Sequence, residues 1–218
     1  MTVPVLYRNN DLIICEKPAG VPSESPGLPD IVASQTGCHV YSVHRLDKNT
    51  GGVIILAFSA GSCSAIQNMF HRGLVQKEYL AVVSGKPVEP AGRYEDLLFH
   101  DRVKNKTYIV TRERAGVKKG ICEWRLLSSV MFSDQMLSLI KVPLHTGRTH
   151  QIRVQFGSRG LPLIGDRKYG SRVSAEAPAL WASGISFPQL RSGSSCPLIS
   201  ACSAPPPSFP WALFDIAL

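Results

Sequence analysis

One stretch of the sequence combines residue types that can do covalent chemistry. Residues 44–52 read HRLDKNTGG and run directly into the apolar segment 53–58. An apolar run bounded by glycines predicts a buried strand, so Asp47 is expected in a polar loop beside a rigid element. Arg45 and Lys48 flank this carboxylate and favour its ionised form. Such a carboxylate can act as a nucleophile, whereas the ordinary role of a loop aspartate is a turn or a surface ion pair.

A lysine and a tyrosine lie in the next predicted strand. Residues 75–83, VQKEYLAVV, have mixed polarity and contain Lys77 and Tyr79. A phenol offers an aromatic face on which a nucleobase can stack and an oxygen that can transfer a proton. By residue type alone, a strand tyrosine is usually a packing residue. Residue type alone therefore predicts that Tyr79 packs against its neighbours in the sheet.

An arginine-containing segment begins the last predicted helix. Residues 144–153 read LHTGRTHQIR. Thr149 is expected to cap a helix in which Ile152 and Phe156 face the core at positions i and i+4. Arg153 lies in the first turn of this helix. Its planar guanidinium can hold a carboxylate in one orientation, and the alternative is a solvated charge.

These three segments resemble the signatures of the RluA-type RNA pseudouridine synthases. Residues 44–52 are similar to the family sequence His-Arg-Leu-Asp-x-x-Thr-(Ser/Gly)-Gly. Residues 77–79 are similar to its Lys-x-Tyr pair, and 147–153 to its Gly-Arg-Thr-His-Gln-Ile-Arg sequence. The chain departs from the family pattern at three positions: Gly51 replaces the more common serine, and Trp181 and Phe187 stand where the family usually has histidine.

The resemblance implies roles for the residues of these motifs. Asp47 would be the nucleophile, Tyr79 the general base that packs against the target base, and Arg153 the salt-bridge partner of Asp47. Arg148 is the second choice for that partner. RNA binding is assigned to His44, Arg45, Lys77, Arg148, His150 and Gln151. The implied activity is the isomerisation of specific uridines to pseudouridine in structured RNA, ribosomal or transfer, with no metal or other cofactor.

The resemblance also implies a fold. The class is α+β, with a long mixed, mostly antiparallel sheet in two subdomains that flank a central active-site cleft. A single catalytic domain is expected over residues 1–218, with the motifs in 5–190 and an irregular segment rich in Ser, Pro and Cys at 191–218. The chain is expected to begin directly at the catalytic domain, without the S4-type RNA-binding domain of some members.

Ordinary periodicity and turn signals predict the remaining elements. These are strands at 5–7, 12–15, 107–110, 121–127 and 136–142, and a helix at 59–72. Lys17 begins a Lys-Pro-Ala-Gly turn, similar to the family's Lys-Pro-x-Gly motif, and is expected to be solvated. Residues 23–37 and most of 95–119 are expected to be irregular because they are rich in turn residues and charges.

The composition favours a polyanionic partner in the cytoplasm. The net charge is +8 and the isoelectric point about 9.3, as is common for proteins that bind nucleic acid. The six cysteines form no C-x-x-C pair, which argues against a zinc site or disulfide framework and for a reducing compartment. No apolar run is long enough to span a membrane. No protein partner is implied, and a monomer is expected.

Two other functions are compatible with parts of these observations. A catalytically silent RNA-binding module could use the same fold and charge, but the intact Asp47, Tyr79 and Arg153 favour an enzyme. A hydrolase acting on a glycosidic bond would normally use two carboxylates. No second acid accompanies the motifs, which argues against this class.

Overall fold

The structure is a computed structural model that describes residues 1–190 and 197–216. It divides into two compact units, each with its own strands and buried side chains. The first unit comprises Met1–Lys77 and Trp181–Pro205, and the second comprises Glu78–Leu180 and residues 206–216. Both units mix helices and strands, which confirms the α+β class. In the described ranges, no helix is long and apolar enough to cross a membrane.

The first unit is built around a short central strand. Its strands are β1 (Val5–Arg8), β2 (Leu12–Lys17), β3 (Tyr41–Ser42), β4 (Gly51–Ala57), β10 (Leu180–Pro188) and β11 (Leu198–Cys202). The hydrogen-bonded order is β1-β2-β4-β10-β11, with β3 also paired to β4. The β4–β10 pair is parallel, and the β1–β2, β2–β4, β3–β4 and β10–β11 pairs are antiparallel. Every residue of β4 is buried, as the apolar run after Asp47 predicts.

A helix covers the core of this unit. Helix α2 (Ala60–His71) begins where predicted, because the Ser59 side chain accepts a hydrogen bond from the backbone N–H of Ser62 at 3.1 Å. Its inward residue Ile66 packs in one cluster with Ile55 of β4 and with other fully or nearly buried apolar residues. The predicted hairpin of β1 and β2 is also confirmed.

The predicted loop at 23–37 is wrong over most of its length, because helix α1 (Leu28–Thr36) lies there. Pro29 lies in the first turn, where its missing N–H removes no helical hydrogen bond. The Asp30 carboxylate accepts the N–H of Gly27 at 2.7 Å and so closes the helix start. Composition alone suggested a loop, although proline and aspartate are favourable at these particular positions.

The second unit contains an antiparallel sheet in the order β5-β9-β8-β6-β7. Its strands are β5 (Gln76–Ser84), β6 (Ala91–Asp101), β7 (Lys106–Val110), β8 (Val117–Phe132) and β9 (Gln135–Pro143). Helix α3 (Gln151–Gly157) packs on this sheet through the fully buried Phe156, whose ring contacts those of Tyr94 and Trp124. Strand β7 holds the chain just before α3 in place, because the Thr107 hydroxyl donates a hydrogen bond to the carbonyl of Thr149.

Two segments predicted to be irregular contain strands. Most of 95–119 belongs to β6, β7 and β8, which pair residue by residue despite their many charges. Within 191–218, strand β11 pairs with β10, and a short 3-10 helix covers Trp211–Leu213. Residues 191–196 and 217–218 of that prediction lie outside the described residues.

Candidate active site

The Asp47 loop is held through the backbone of its neighbours. Thr50 donates its N–H to the carbonyl of Asp47 at 2.9 Å, which closes a tight turn before β4. The Ser23 hydroxyl accepts the N–H of Leu46 at 3.0 Å and donates to the Leu46 carbonyl at 2.9 Å. Ser23 is buried, so these hydrogen bonds are shielded from water. The carboxylate of Asp47 is therefore carried on a backbone with little freedom.

Lys17 fixes the other side of this loop, and its predicted solvation is wrong. The side chain is fully buried, and its ammonium donates to the carbonyls of Pro18, Val21 and Lys48 at 2.9, 2.8 and 3.0 Å. Burial lowers the pKa of Lys17 to about 8, and the negative charge of Asp47 opposes that shift. Lys17 is thus still mainly protonated at neutral pH, and it ties the Lys-Pro-Ala-Gly turn to the residue after Asp47.

Two glycines allow β10 to approach the end of this loop. A Cβ atom on Gly51 would lie 2.2 Å from Cζ3 of Trp181, and one on Gly52 would lie 2.2 Å from the carbonyl oxygen of Ala182. Gly52 also has a φ of 112°, which L residues rarely adopt. Gly51 and Trp181, two of the positions that depart from the family pattern, are therefore in contact. The absence of a side chain at position 51 leaves the space that the indole of Trp181 fills.

His44 supports β4 as a neutral side chain. Its Nε2 accepts the backbone N–H of Ile55 at 3.1 Å, which assigns the ring proton to Nδ1. Burial, together with a smaller effect of the Lys77 charge, lowers the pKa of His44 to about 3. The ring also packs 4.8 Å from that of Phe70. At neutral pH, His44 therefore carries no positive charge for a phosphate.

We expect the neutral state of His44 to make the protein sensitive to acid. The folded pKa of about 3 lies below the ordinary 6.5, so the unfolded chain binds more protons between these values. The free energy of unfolding should fall as the pH drops below 6.5, by up to about 1.4 kcal/mol per pH unit from this group. Urea unfolding of wild type and His44→Gln at pH 7 and pH 5 measures this slope.

His39→Gln is the matched control, because His39 is exposed. His44→Gln retains an acceptor for the Ile55 N–H and should show a shallower pH dependence than wild type. His39→Gln should keep the wild-type slope. Equal slopes in wild type and His44→Gln would show that His44 does not resist protonation.

The other cations of the first unit differ in exposure. The Arg45 guanidinium lies 3.8 Å from the Glu24 carboxylate, and both side chains are about two-thirds exposed. An ion pair this exposed stabilises little, and leaves Arg45 accessible to a polyanion. Lys77 is partly buried, with its ammonium 5.9 Å from the centroid of the Phe70 ring. The first unit thus brings His44, Phe70 and Lys77 together and carries Asp47 on its fixed loop.

The start of α3 differs from the prediction. His150, not Thr149, is the N-cap residue, with a left-handed φ of 53° and no side-chain cap. The buried side chain of Gln151 organises the preceding loop instead: its Oε1 accepts from the Thr146 hydroxyl at 2.7 Å and from the N–H of Arg148 at 3.1 Å. Arg148 itself is exposed and donates its Nε–H to the carbonyl of Lys119. Gln151 is therefore shielded from solvent, whereas Arg148 is accessible.

Arg153 forms a buried ion pair that sequence reasoning missed. Its Nε and Nη2 donate to the two carboxylate oxygens of Asp166 at 2.7 and 2.8 Å. Asp166 is 1% exposed and Arg153 is 8% exposed. A bidentate pair of this kind fixes the plane of the guanidinium. The sequence signal for this pair is Asp166, a carboxylate that follows a turn glycine 13 residues after Arg153.

Tyr169 extends this arrangement. Its ring lies 5.2 Å from the Arg153 guanidinium carbon, and its hydroxyl accepts the N–H of Thr107 at 2.8 Å. The same hydroxyl shares a hydrogen bond with His150 Nδ1 at 3.0 Å. Burial raises the pKa of Tyr169 above its ordinary value, so this hydroxyl keeps its proton at neutral pH. The second unit therefore assembles His150, Arg153 and Tyr169 with Asp166.

Tyr79 lies on β5 and pairs with Val142 of β9. The side chain is 9% exposed. A phenol that is almost buried can present only a small part of its surface to a ligand, and it is fixed by its neighbours. Tyr79 follows Lys77 by two residues along the same strand. Its position fits the packing interpretation and leaves proton transfer as a prediction.

Comparison with known proteins identifies a family. A family model described as RNA pseudouridylate synthase matches residues 11–158, which include Asp47, Tyr79 and Arg153. The matched part is more than half of the chain. The predicted catalytic and RNA-binding residues of both units therefore fall inside the matched region, whereas Asp166 and Tyr169 lie beyond its end.

Relatives with assigned RNA classes have similar sequences. The chain is 31% identical over 185 residues to ribosomal large subunit pseudouridine synthase D of Borreliella burgdorferi, covering 77% of this chain and 55% of that protein. It is 30% identical over 186 residues to tRNA pseudouridine synthase C of Pasteurella multocida, covering 78% of this chain and 75% of that protein. The chain thus spans little more than half of the Borreliella relative.

A solved structure has the same fold. Human RNA Pseudouridylate Synthase Domain Containing 1 superposes with a TM-score of 0.79 at 22% sequence identity, over 96% of this chain and 85% of that chain. This likeness confirms the fold class predicted from the three motifs.

Proposed function

Because the chain belongs to the RNA pseudouridylate synthase family, whose members are isomerases that act on RNA, we propose that it converts uridine to pseudouridine in structured RNA with Asp47 as nucleophile. The substrate class is ribosomal or transfer RNA, as in the names of the two relatives. The observation that carries the proposal is the fixed loop of Asp47, which lies inside the matched region and is held by Ser23 and Lys17.

The reaction begins with extrusion of the target base. A stacked uridine hides its glycosidic bond, so the nucleotide must leave the helix before chemistry. Asp47 then assists cleavage of the N-glycosidic bond by attacking the sugar or the ring, or by promoting elimination. The detached uracil rotates and rebonds to the ribose through C5. The C5 proton is then lost to a base, and N1, which no longer carries the ribose, takes up a proton. The product is therefore an isomer of uridine, and no external energy source is required.

The remaining residues support these steps in different ways. Tyr79 is the proposed base for the C5 proton. Arg153 is proposed to orient Asp47, and its bidentate pair with Asp166 supports this role because a guanidinium has donors beyond the two used there. Arg45 occupies the space left by the flipped base or contacts phosphates.

The proposed RNA-binding residues differ in how far their side chains are exposed to solvent. The exposed Arg45 and Arg148 and the partly buried Lys77 are proposed to bind the RNA backbone. His44, His150 and Gln151 are proposed to act by shaping the loops that meet the RNA, since the first is neutral and the other two are buried.

The proposed setting is the cytoplasm, with the protein acting as a monomer. The five cysteines of the described ranges are free, and burial raises the pKa of Cys15 and Cys122 to about 12. Thiols with so little thiolate react slowly, and free thiols are typical of a reducing compartment.

Mapping of pseudouridine in cellular RNA tests the proposed function. Total RNA from cells that lack the protein is labelled with a pseudouridine-specific reagent and compared with RNA from cells complemented with the wild-type chain. We expect at least one site to disappear and to return on complementation. An identical map in both strains would overturn the proposal in favour of a catalytically silent RNA-binding module.

A further inference from the structure

The cations of residues 102–118 form no ion pairs within the part of the chain that the structure describes. Residues 102–118 contain six basic side chains and one acidic residue. None of the six forms an ion pair with any part of the chain that the structure describes; they are Arg102, Lys104, Lys106, Arg112, Arg114 and Lys118. By contrast, Arg93, Lys119 and Lys141 on the same sheet all pair with glutamates. The positive charge of these six side chains is therefore not neutralised by ion pairs within the described residues.

Two of these cations lie over aromatic rings on one face of the hairpin. Phe99 and Tyr108 are directly opposite each other on β6 and β7, so their side chains project to the same side. The Lys106 ammonium lies 5.6 Å from the centroid of the Tyr108 ring, and the Arg114 guanidinium carbon lies 4.6 Å from that of Phe99. Tyr108 is 36% exposed. We call these four residues the hairpin face.

The hairpin face is rigid because the hairpin is tied at both its turn and its inner side. The Asp101 carboxylate accepts the N–H groups of Val103 and Lys104 at 3.0 Å, which shapes the turn. The Lys168 ammonium donates to the carbonyl of Asn105 at 2.8 Å. The Thr107 hydroxyl donates to the carbonyl of Thr149 at 2.7 Å. A ligand on the hairpin face would therefore be held at a constant distance from the start of α3.

We propose that the hairpin face binds unpaired nucleotides of the substrate RNA, with a base stacked on Tyr108 and the backbone neutralised by the neighbouring cations. This inference rests on the proposed function, since it assigns an RNA contact to the same enzyme. The exposed ring of Tyr108 beside cations that form no ion pairs within the described residues matches single strands, whose bases are free to stack and whose phosphates need neutralisation. A duplex would use the cations but would have no base available for the ring.

RNA binding by variants of the full chain separates the contribution of base stacking from that of charge neutralisation. The probes are a fluorescein-labelled uridine-rich 12-nucleotide single strand and a duplex of the same length, titrated at several salt concentrations. Tyr108→Leu should weaken binding of the single strand by about 10-fold, in the range for loss of one stacked base. It should leave the salt dependence and the duplex affinity unchanged. Arg114→Gln should reduce the slope of log affinity against log salt by about 1.

Two further variants make the comparison specific. Tyr41→Leu removes an equally exposed tyrosine of the first unit, at 37% exposure, and should bind as wild type does. Tyr108→Phe keeps the ring and should retain the single-strand affinity. Equal binding by Tyr108→Leu and Tyr41→Leu, an equal loss for the duplex, or a loss in Tyr108→Phe would each overturn stacking on the hairpin face.

An activity measurement distinguishes this inference from the proposed function. If wild type forms pseudouridine, Tyr108→Leu should raise KM and leave kcat unchanged, because Tyr108 supplies binding and no chemistry. An active wild type with an unchanged KM in Tyr108→Leu would overturn the hairpin face alone. An inactive wild type would overturn the proposed function.

Discussion

The Asp47→Asn variant is expected to form pseudouridine at least about 10³-fold more slowly than wild type, as is typical when a nucleophile is removed. Asparagine keeps the size of the side chain but has neither its negative charge nor its nucleophilic carboxylate. The loop should keep its position, because Ser23 and Lys17 hold backbone atoms of Leu46 and Lys48. RNA affinity should therefore remain close to that of wild type.

Release of tritium from RNA labelled at uridine C5 measures this effect, because that hydrogen leaves when C5 bonds to the ribose. The assay uses excess enzyme, so that a single turnover reports the chemical steps and not product release. Asp134→Asn is the matched control: Asp134 is exposed in the β8–β9 turn with a φ of 61°, which asparagine also adopts. A rate for Asp47→Asn within tenfold of wild type would rule out Asp47 as nucleophile.

The second large effect is expected at Asp166. Asp166→Asn should lower the free energy of unfolding by about 3 kcal/mol, because it leaves the buried Arg153 guanidinium without its carboxylate. Asparagine can accept one of the two hydrogen bonds, but its amide group would face the second donor. The single-turnover rate should also fall, since Arg153 loses the partner that fixes its plane.

Urea unfolding at pH 7, followed by tryptophan fluorescence, measures the change at Asp166. Glu95→Gln is the control, because Glu95 accepts from Arg93 and contacts Lys119 in an ion-pair network that remains about half exposed. Water replaces an exposed partner readily, so this control should unfold close to wild type. Equal stability of Asp166→Asn and Glu95→Gln would show that the buried Arg153–Asp166 pair stabilises the fold no more than an exposed ion pair does.

The elements that follow from local pattern could be predicted from the sequence. The buried strand after Asp47 and helix α2 were both evident, because apolar spacing and the Ser59 cap act over a few residues. Strands β8 and β9 followed from the same kind of pattern. Helix α1 and the charged strand β6 were missed, because their turn residues and charges favour irregular chain when neighbouring strands are unknown. The strand predicted at 107–110 is confirmed by β7.

The candidate residues could be identified by type and order, but their surroundings could not. Lys17 was predicted to be a solvated turn residue, but its side chain is buried. Its ammonium donates hydrogen bonds to backbone carbonyls, one of which belongs to a residue 31 positions away. Gly51 and Trp181 looked like unrelated departures from a motif, and they are in contact across 130 residues of chain.

The family, the α+β class and the candidates Asp47, Tyr79 and Arg153 could all be predicted from the printed chain, because residue type and short spacing carry that information. The pairing of Asp166 with Arg153, the neutral state of His44 and the burial of Lys17 beside the Asp47 loop became evident only in the folded protein. These properties arise from desolvation and from contacts between distant segments. Both depend on which distant segments meet in the fold, and the residue types and spacing within one segment do not specify those meetings.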